Sequence, residues 1–494
     1  MSAPALYTTD DIYRLLPAVY RIRDDELGGV LHELVEVITA QVNALAEGIE
    51  QAYDDQFIET CAEWVTPYIG DLISYRTLHG EVPRVASPRA EVANTVRYRR
   101  RKGTASMLEQ LARDVTGWPA RAVEFFELLA TSQYMNHVRP HAQATASVRD
   151  AVSLDIGDGF QAGAFDGLSH TAEMRRIATS AGRYNIPNVG IFLWRVEAHR
   201  LTRSPLVDAD GSGRRYRFDP LGTDKPLFGA ARTEEEITHL AEPFDVPLPL
   251  KRRWASAHLP EYYGAGLSML LEIDDGTDVV PVEAVVRICD LSDDPVAPGA
   301  WAHEPEPPDE RVAIDPVRGR VAFPSGASAG DTRVATFHYG AALSIGGGGY
   351  DRGVARDEML SVASASKGED LAPLLGAAAA GGAVEIADSY RYSAPATITV
   401  TTPAPNAADR KLVVRSVNRA RPLLIRSGQM KLAMDADTHV VLDGLMLAGA
   451  PLVIEESPDA RPRTLELRHC TLVPGIARDS AGEPAFFGRA GLIV

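Results

Sequence analysis

The last 120 residues of this 494-residue chain repeat a short aliphatic run at nearly constant spacing. Comparable runs begin at Val384, Leu412, Val440 and Leu465, so the spacings are 28, 28 and 25 residues. A period in this range, with aliphatic strands separated by Gly, Asn and Asp turns, is typical of stacked coils. The repeat therefore predicts a parallel β-helix over residues 384–494, in which each coil buries its inner face only against its neighbours.

Residues 1–145 are predicted to form a helical domain. Between Leu27 and Tyr53, apolar residues recur at steps of three and four, which places them in one stripe along a long helix. A second helix is expected to begin after Thr104, a suitable N-cap, and to stop at Gly117. The apolar stripe comprises Leu27, Val30, Leu31, Leu34, Val35, Ile38, Val42, Leu45, Ile49 and Tyr53.

The region between the helices and the repeat is predicted to be rich in β-strands. Short apolar runs separated by Asp and Gly turns fill residues 146–345, and the acidic, proline-rich segment 293–310 is expected to be an exposed loop. Glycine and alanine dominate parts of residues 346–383, which we expect to be a linker. The predicted fold class is therefore multidomain α+β. Residues 491–494 are apolar and look uncapped, so either a partner covers this end or the natural chain continues.

Charge is distributed unevenly along the chain. With 67 acidic and 50 basic residues the net charge is −17, which disfavours attraction of the whole chain to nucleic acid or anionic lipid. Residues 1–80 carry a net −10, whereas residues 81–150 carry a net +4 and contain a basic cluster at residues 97–102. Only Tyr98 could stack on a base there, so we interpret the cluster as a surface facing an oppositely charged protein.

The cysteines and the apolar runs indicate the redox compartment of the protein and whether it carries a secretion signal or a membrane span. Cys61, Cys289 and Cys470 lie far apart and form no CxxC pair, which fits a reducing compartment and argues against a disulfide framework or a cysteine-bound zinc site. The sequence shows no signal-peptide pattern and no run of 18 uncharged apolar residues, so we predict neither a secretion signal nor a membrane span.

Three motifs were weighed as chemical sites, and none is predicted to be one. His137 and His141 have the spacing of two ligands on a helix, but Pro140 lies between them and no Glu follows His137. Residues 208–213 resemble the start of a calcium loop, but the twelfth position is Asp219 without flanking helices. Gly346 to Gly349 lack the Lys-Ser/Thr ending of a phosphate-binding loop. We therefore predict no catalytic, metal or cofactor-binding residue, and no enzyme.

The N-terminal region resembles the tail protein I family of contractile phage tails, and in particular the baseplate wedge protein of contractile injection systems. The runs that carry the resemblance are YRLLPAVY at 13–20 followed by Arg23-Asp24, FIETC at 57–61, WVTPYIGDLI at 64–73, YRRRKGT at 98–104 and LEQLARDVTGW at 108–118. Further on, AIDPVRGRVAF at 313–323 and FHYG at 337–340 are similar to the β-rich part of such proteins. The C-terminal repeat departs from the short phage tail proteins.

The resemblance implies a structural role and partners. Family members form wedges of a six-fold baseplate around a central spike, beside a Baseplate J-like protein and near the sheath. They hold the sheath extended until contact with a target lets it contract, which requires large interfaces with two arrangements. The chain would then be made in the bacterial cytoplasm and incorporated in a particle that is released or membrane-anchored.

Two other functions stay open at this point. A glycan-binding or glycan-cleaving β-helix is the main alternative, because carboxylates are present in the C-terminal repeat. They do not recur at one register, and few aromatic residues accompany them; they are Asp435, Asp437, Asp443, Glu455, Glu456 and Glu466. Binding of nucleic acid rests only on the basic cluster at residues 97–102.

Overall fold

The computed structural model describes most of the chain, and all statements below refer to the described residues. These are residues 7–76, 88–130, 134–137, 163–174, 182–232, 239–274, 279–282, 285–297, 299–324, 332–352, 362–401, 411–456, 461–476 and 488–494. The chain divides into two compact units: residues 1–120 with 236–240, and residues 121–235 with 241–494. We call them the helical unit and the β unit.

The described part of the helical unit contains six α-helices. They are α1 (Thr9–Tyr13), α2 (Ala18–Leu27), α3 (Val30–Asp54), α4 (Thr66–Leu72), α5 (Pro88–Arg100) and α6 (Ala105–Thr116). The predicted ends of α6 are confirmed, because the Thr104 hydroxyl accepts a hydrogen bond from the Met107 N–H and Gly117 adopts a left-handed conformation with φ of +71°. The helical character of the N-terminal region is thus established.

Two details of the helical region differ from the prediction. Leu27 does not belong to the long helix, because Gly28 and Gly29 both have positive φ and separate α2 from α3. The helices also end at Thr116, short of residue 145. After Pro119 the backbone becomes strand β1 (Ala120–Glu124), which pairs with β2 (Val189–Leu193). Residues 138–145 lie outside the described ranges.

The first part of the β unit contains two mostly antiparallel sheets. Five strands form one sheet in the order β4-β5-β10-β9-β8, and four form the other in the order β3-β11-β6-β7. The strands are β3 (Glu197–Pro205), β4 (Val207–Asp208), β5 (Arg215–Arg217), β6 (Met269–Asp274), β7 (Val279–Pro281), β8 (Val286–Ile288), β9 (Val312–Asp315), β10 (Arg320–Ala322) and β11 (Thr332–Ala341). Two short helices, α7 (Arg252–Ala257) and α8 (Leu259–Tyr262), lie between β5 and β6 in the chain. A shared apolar core that includes Leu201, Phe218, Leu271, Ile314 and Phe337 joins the two sheets.

The last part of the β unit contains three parallel sheets, and the chain supplies their strands in rotation. The sheet orders are β12-β13-β16-β19-β22, β14-β17-β20-β23 and β15-β18-β21-β24. The strands are β12 (Val362–Ala365), β13 (Gly382–Ile386), β14 (Arg391–Ser393), β15 (Thr397–Val400), β16 (Lys411–Ser416), β17 (Leu423–Ile425), β18 (Met430–Met434), β19 (His439–Asp443), β20 (Met446–Ala448), β21 (Leu452–Ile454), β22 (Thr464–Arg468), β23 (Thr471–Val473) and β24 (Leu492–Ile493). The four strands predicted from the repeat are β13, β16, β19 and β22, and they pair in parallel as consecutive neighbours.

In the first of these sheets, the register of the strands places similar side chains beside one another on neighbouring strands. Val384, Val414 and Leu442 occupy one column and are each at most 2% exposed. Tyr392 of the second sheet and Ile398 of the third belong to the same buried cluster. The apolar core of the region therefore lies between the three sheets, with residues from each of them facing it.

The described residues of the segment 346–383, which are 346–352 and 362–383, are not a linker in the structure. They contain strand β12, which pairs in parallel with β13, and helix α9 (Ala372–Ala377). Leu371 and Leu375 of this segment are 0% and 4% exposed and belong to the core of the three parallel sheets. The small Ala and Gly side chains that suggested flexibility instead let the segment pack closely onto that core.

The segment 293–310 is not wholly exposed either. Trp301 is buried among Leu291, Ala313 and Ala322, and the guanidinium carbon of Arg320 lies 4.7 Å from the centre of its ring. A single large aromatic residue thus anchors an otherwise acidic and proline-rich loop. No helix in the described ranges is both long and apolar enough to cross a bilayer.

Two leucines in one column of the parallel sheets provide a test of this core. Leu442 is 2% exposed, whereas its neighbour on the next strand, Leu467, is 36% exposed. We expect Leu442→Ala to lower the free energy of unfolding by about 2–5 kcal/mol, because it leaves a cavity. Leu467→Ala is the matched control and should cost less than about half as much. Urea denaturation followed by circular dichroism measures both; equal losses would contradict the assigned register.

Candidate assembly surface

The most unusual surface of the chain is an exposed apolar stripe on α3. Val30, Leu34, Ile38, Leu45 and Ile49 are between 45% and 68% exposed, although they recur at helical spacing and lie on one side of the helix. The stripe runs from Val30 to Ile49, and these two positions are roughly 28 Å apart along the helix. Exposed Gln41 lies in the same row, between Ile38 and Leu45. An exposed row of large apolar residues on this scale is typical of a surface that another protein covers.

The elements on either side of α3 expose apolar residues as well. On α4 and the turn before it, Trp64, Tyr68 and Leu72 follow one another at intervals of four and are 69%, 65% and 85% exposed. On α2, Val19, Tyr20 and Ile22 are each more than half exposed. We call these residues, together with the α3 stripe, the assembly surface. Sequence periodicity identified the α3 stripe but could not show that it faces outward.

A buried carboxylate fixes the helices that carry the assembly surface. Asp24 is 4% exposed, and its two oxygens accept hydrogen bonds from the N–H groups of Leu31 (2.7 Å) and His32 (2.9 Å) in the first turn of α3. The Tyr13 hydroxyl donates a third hydrogen bond, 2.8 Å long. Because Gly29 precedes α3 and has no capping side chain, Asp24 acts as the cap from the preceding helix.

The ionisation of this group follows from the same contacts. Burial alone would raise the pKa of Asp24, but the hydrogen bonds from Leu31, Tyr13 and His32 outweigh it and hold the pKa below its usual value. Burial, together with the hydrogen bond to Asp24, raises the pKa of Tyr13 to about 12. Asp24 is therefore an anion at the positive end of α3 over the physiological pH range.

Some side chains of the basic cluster at residues 97–102 are hydrogen-bonded within the helical unit. Both terminal nitrogens of Arg99 donate to carbonyl oxygens just after α4, to Ile73 at 2.7 Å and to Ser74 at 2.8 Å. The Tyr98 hydroxyl donates to the Asp114 carboxylate and is only partly exposed. Tyr98 is thus engaged within the helical unit, which removes the stacking residue that a nucleic-acid surface would need.

The motifs weighed from sequence do not form chemical sites in the described residues. His137 lies in an exposed 3-10 turn, while His141 falls outside the described ranges. The Asp208 carboxylate accepts hydrogen bonds from the N–H groups of Asp210, Gly211 and Gly213. Backbone groups of the same loop therefore bind the carboxylate oxygens. No cluster of three or more His, Cys, Asp or Glu residues suited to a metal occurs among the described residues.

Gly346 to Gly349 are a tightly packed connection between the antiparallel and the parallel sheets. The Gly347 N–H donates to the Thr471 hydroxyl and the Gly349 N–H to the Tyr339 hydroxyl, each at 2.9 Å. A Cβ atom at Gly347 would lie 2.6 Å from the Leu445 carbonyl oxygen. These amides are already bonded to protein groups, so they are not displayed for a phosphate.

A cleft of about 290 Å³, which no sequence motif predicts, lies beside this connection. His199, Tyr339 and Arg421 line it, with the Arg421 guanidinium 4.7 Å from the centre of the Tyr339 ring. Burial lowers the pKa of His199, and its Nε2 atom has no hydrogen-bond partner in the described structure. The pairing of β3 with β11 brings His199 and Tyr339 together, although they are more than 130 residues apart in the sequence.

Three of the six candidate carboxylates in the parallel sheets contact neighbouring cations. Glu455 contacts Lys431 at 2.8 Å, and Asp437 contacts Arg461 at 2.9 Å. Asp443 is 6% exposed in a column of alternating charge that runs Glu385, Arg415, Asp443, Arg468. Alternating charges of this kind favour one register between the strands. The Oδ1 atom of Asp443 is buried and has no hydrogen-bond partner in the described structure.

The Asp24 cap provides a test of how the assembly surface is held. A carboxyl group with a depressed pKa stabilises the folded state above its unfolded pKa of about 3.9, and that contribution is lost as pH falls through the folded value. Asp24→Asn should therefore lower the midpoint of thermal loss of helicity at pH 7. The difference from the parent chain should shrink below the folded pKa. Asp25→Asn, at an exposed neighbour, is the control and should leave the midpoint unchanged; an equal drop for both would refute the cap.

Comparison of the chain with protein-family models, with curated proteins and with solved structures gives no match. Two features of the chain bear on its function: an exposed apolar surface on the helical unit, whose helices are fixed by polar contacts, and three parallel sheets with a packed apolar core.

Proposed function

We propose that the chain is a structural wedge component of the baseplate of a contractile injection system, a phage tail-like particle. It assembles with a Baseplate J-like partner around the central spike and couples contact with a target to contraction of the sheath. The observation that supports this most directly is the exposed apolar surface of α2, α3 and α4. A protein that works alone would aggregate through such a surface, whereas an assembly protein needs it.

The proposal gives each unit of the chain a separate task. The helical unit supplies the interface, with apolar residues at its centre and charged residues around them. In the β unit we propose that the three parallel sheets form a parallel β-helix, closed at its first coil by α9. Leu371 and Leu375, buried in the core of those sheets, support this closure. Parallel coils with a packed interior would serve as a stiff element rather than as a pocket.

The β unit is also cross-linked internally in a way that suits a structural part. The Asp274 carboxylate of β6 accepts hydrogen bonds from Lys367 (3.3 Å) and from the Tyr390 hydroxyl. The guanidinium of Arg352 is 8% exposed and donates to the carbonyl oxygens of Gly348 and Ser416. Contacts of this kind tie the antiparallel sheets to the parallel ones and would transmit displacement between them.

Assembly is tested in the bacterium that makes the particle. Tagged full-length chain should recover a Baseplate J-like protein together with sheath components, and deletion of its gene should leave cells without assembled contractile particles. A double substitution on the stripe, Ile38→Asp with Leu45→Asp, should fail to restore particles, because two charges would have to be desolvated in the interface.

The control for this experiment is Val296→Asp, at a residue of the β unit that is 87% exposed. This variant should restore particles as well as the parent chain does. Recovery of no partner, with the tagged chain behaving as a stable lone monomer, would overturn the proposed function. The glycan-directed alternative is less well supported, since three of its six candidate acids, Asp437, Glu455 and Glu466, are paired with cations.

A further inference from the structure

We propose that the cleft of about 290 Å³ beside Gly346 to Gly349 binds a small carboxylate that carries an apolar body. We call this cavity the His199 cleft. It lies wholly within the β unit, so the proposal goes beyond the wedge role and does not depend on it. Two observations on its walls support the proposal: an arginine with unpaired donors, and large apolar side chains that remain exposed.

Arg421 is the cationic group of the cleft that has no acidic partner. Its Nε atom donates to the Gly347 carbonyl oxygen at 3.0 Å, and its guanidinium carbon lies 4.7 Å from the centre of the Tyr339 ring. Among the described residues no carboxylate forms an ion pair with Arg421, and its two terminal nitrogens have no acceptor. A guanidinium fixed in this way presents two N–H groups with the spacing of the two oxygens of a carboxylate.

The Tyr339 hydroxyl is a second hydrogen-bond donor in the cleft. Its oxygen accepts the Gly349 N–H at 2.9 Å, and its own hydrogen has no acceptor within the described ranges. Arg421 and Tyr339 are therefore both bonded to the short stretch 347–349, and both line the cavity. Donors that are held together before a ligand arrives lose little freedom when an anion binds to them.

The described ionisable groups of the lining leave one positive charge. The Lys225 ammonium contacts the Asp219 carboxylate at 3.1 Å, so these two charges balance each other. Burial lowers the pKa of His199, and its imidazole is therefore uncharged at pH 7. The charge that remains is that of Arg421. One carboxylate balances it, whereas a phosphate monoester carries between one and two negative charges at this pH.

The apolar part of the lining is incompletely covered. Leu343 and Ile345 are 65% and 72% exposed, although both line the cavity, and Phe228 is half-buried. Leu227 and Phe337 are 2% and 3% exposed and provide packed walls. A ligand with an apolar body would remove the side chains of Leu343 and Ile345 from water, which favours binding.

His199 adds a polar atom without a partner to the wall of the cleft. The residue is 7% exposed, and its Nε2 atom makes no hydrogen bond in the described structure. The Glu197 carboxylate oxygen lies 3.8 Å from this nitrogen, beyond hydrogen-bond distance. Buried polar atoms are normally hydrogen-bonded, so an unpaired one beside a cavity is typical of a site that takes a ligand or ordered water.

The volume of the cleft sets the size of the ligand. A cavity of about 290 Å³ has room for roughly ten water-sized groups, so a ligand of about ten non-hydrogen atoms fills it. Phenylpropionate, which joins a carboxylate to a phenyl ring through two methylene groups, has this size and both chemical features. It is the probe for the test below.

Binding is measured on the full chain by ligand-observed NMR titration. Phenylpropionate should bind with a Kd on the order of 1 mM or lower. It should bind about tenfold or more tightly than phenylpropionamide, which lacks the charge, and than propionate, which lacks the ring. An N-acetylated tripeptide that ends in Phe identifies the source of the carboxylate. Tighter binding of the tripeptide than of phenylpropionate would assign a protein C-terminus, and weaker binding would assign a free small molecule.

Substitution of Arg421 tests the anion contact. Arg421→Gln should weaken binding of phenylpropionate by about tenfold or more, and Arg421→Lys, which keeps the charge without the paired donors, should restore part of the loss. Arg419→Gln is the matched control, because Arg419 is 76% exposed, pairs with Asp351 and does not line the cleft. This control should bind phenylpropionate as the parent chain does.

Ile345→Ser tests the apolar contact, and it covers the case in which Arg421→Gln loosens the chain at Gly347. Because Ile345 is 72% exposed, this variant should keep the parent's thermal midpoint and still bind phenylpropionate several-fold more weakly. Val296→Ser, at an exposed apolar residue outside the cleft, should bind it unchanged. The proposal is overturned by a lack of saturable binding, by equal binding of the acid and the amide, or by unchanged binding in both Arg421→Gln and Ile345→Ser.

Discussion

Parallel pairing of successive strands is the constraint on which the last third of the chain depends. Each strand of β13, β16, β19 and β22 contributes inward-facing residues that are buried only when the strands before and after it are in register. A shift of one residue would turn Val384, Val414 and Leu442 outward and their polar neighbours inward. The column Glu385, Arg415, Asp443, Arg468 opposes the same shift, because displaced charges would meet apolar residues.

The helical unit is organised in the opposite way. Few of its large apolar side chains are buried, and polar contacts fix its helices: Asp24 caps α3, Arg99 holds the carbonyls after α4, and Tyr98 holds Asp114. Apolar residues that would form a core in an ordinary domain lie outside instead. Hydrogen bonds, rather than a large apolar core, therefore hold the described helices in place.

Part of this architecture was predictable from sequence, and the rest was not for physical reasons. The repeat of about 28 residues predicted four strands, and Thr104 and Gly117 predicted the two ends of α6. These signals are carried by residues close to one another in the sequence. The outward direction of the α3 stripe was not predictable, since periodicity shows that one face is apolar but not what covers it. The composition of residues 346–383 was misleading, because Ala and Gly occur both in linkers and in tightly packed segments. The His199 cleft depends on strand pairing over more than 130 residues, and one sequence holds no signal for that.

Because successive strands join the three parallel sheets in turn, the number of strands in all three sheets can change together by one. Loss or gain of about 28 residues at a turn would remove or add one strand in each sheet and leave every other pair of neighbours intact. Each step would change the extent of the stack by about 4.8 Å, the spacing between adjacent strands. Related chains could in this way differ in reach by a few such increments while their helical units stayed the same. The size of the parallel sheets and the surface contacts of the helical unit could then change independently of each other.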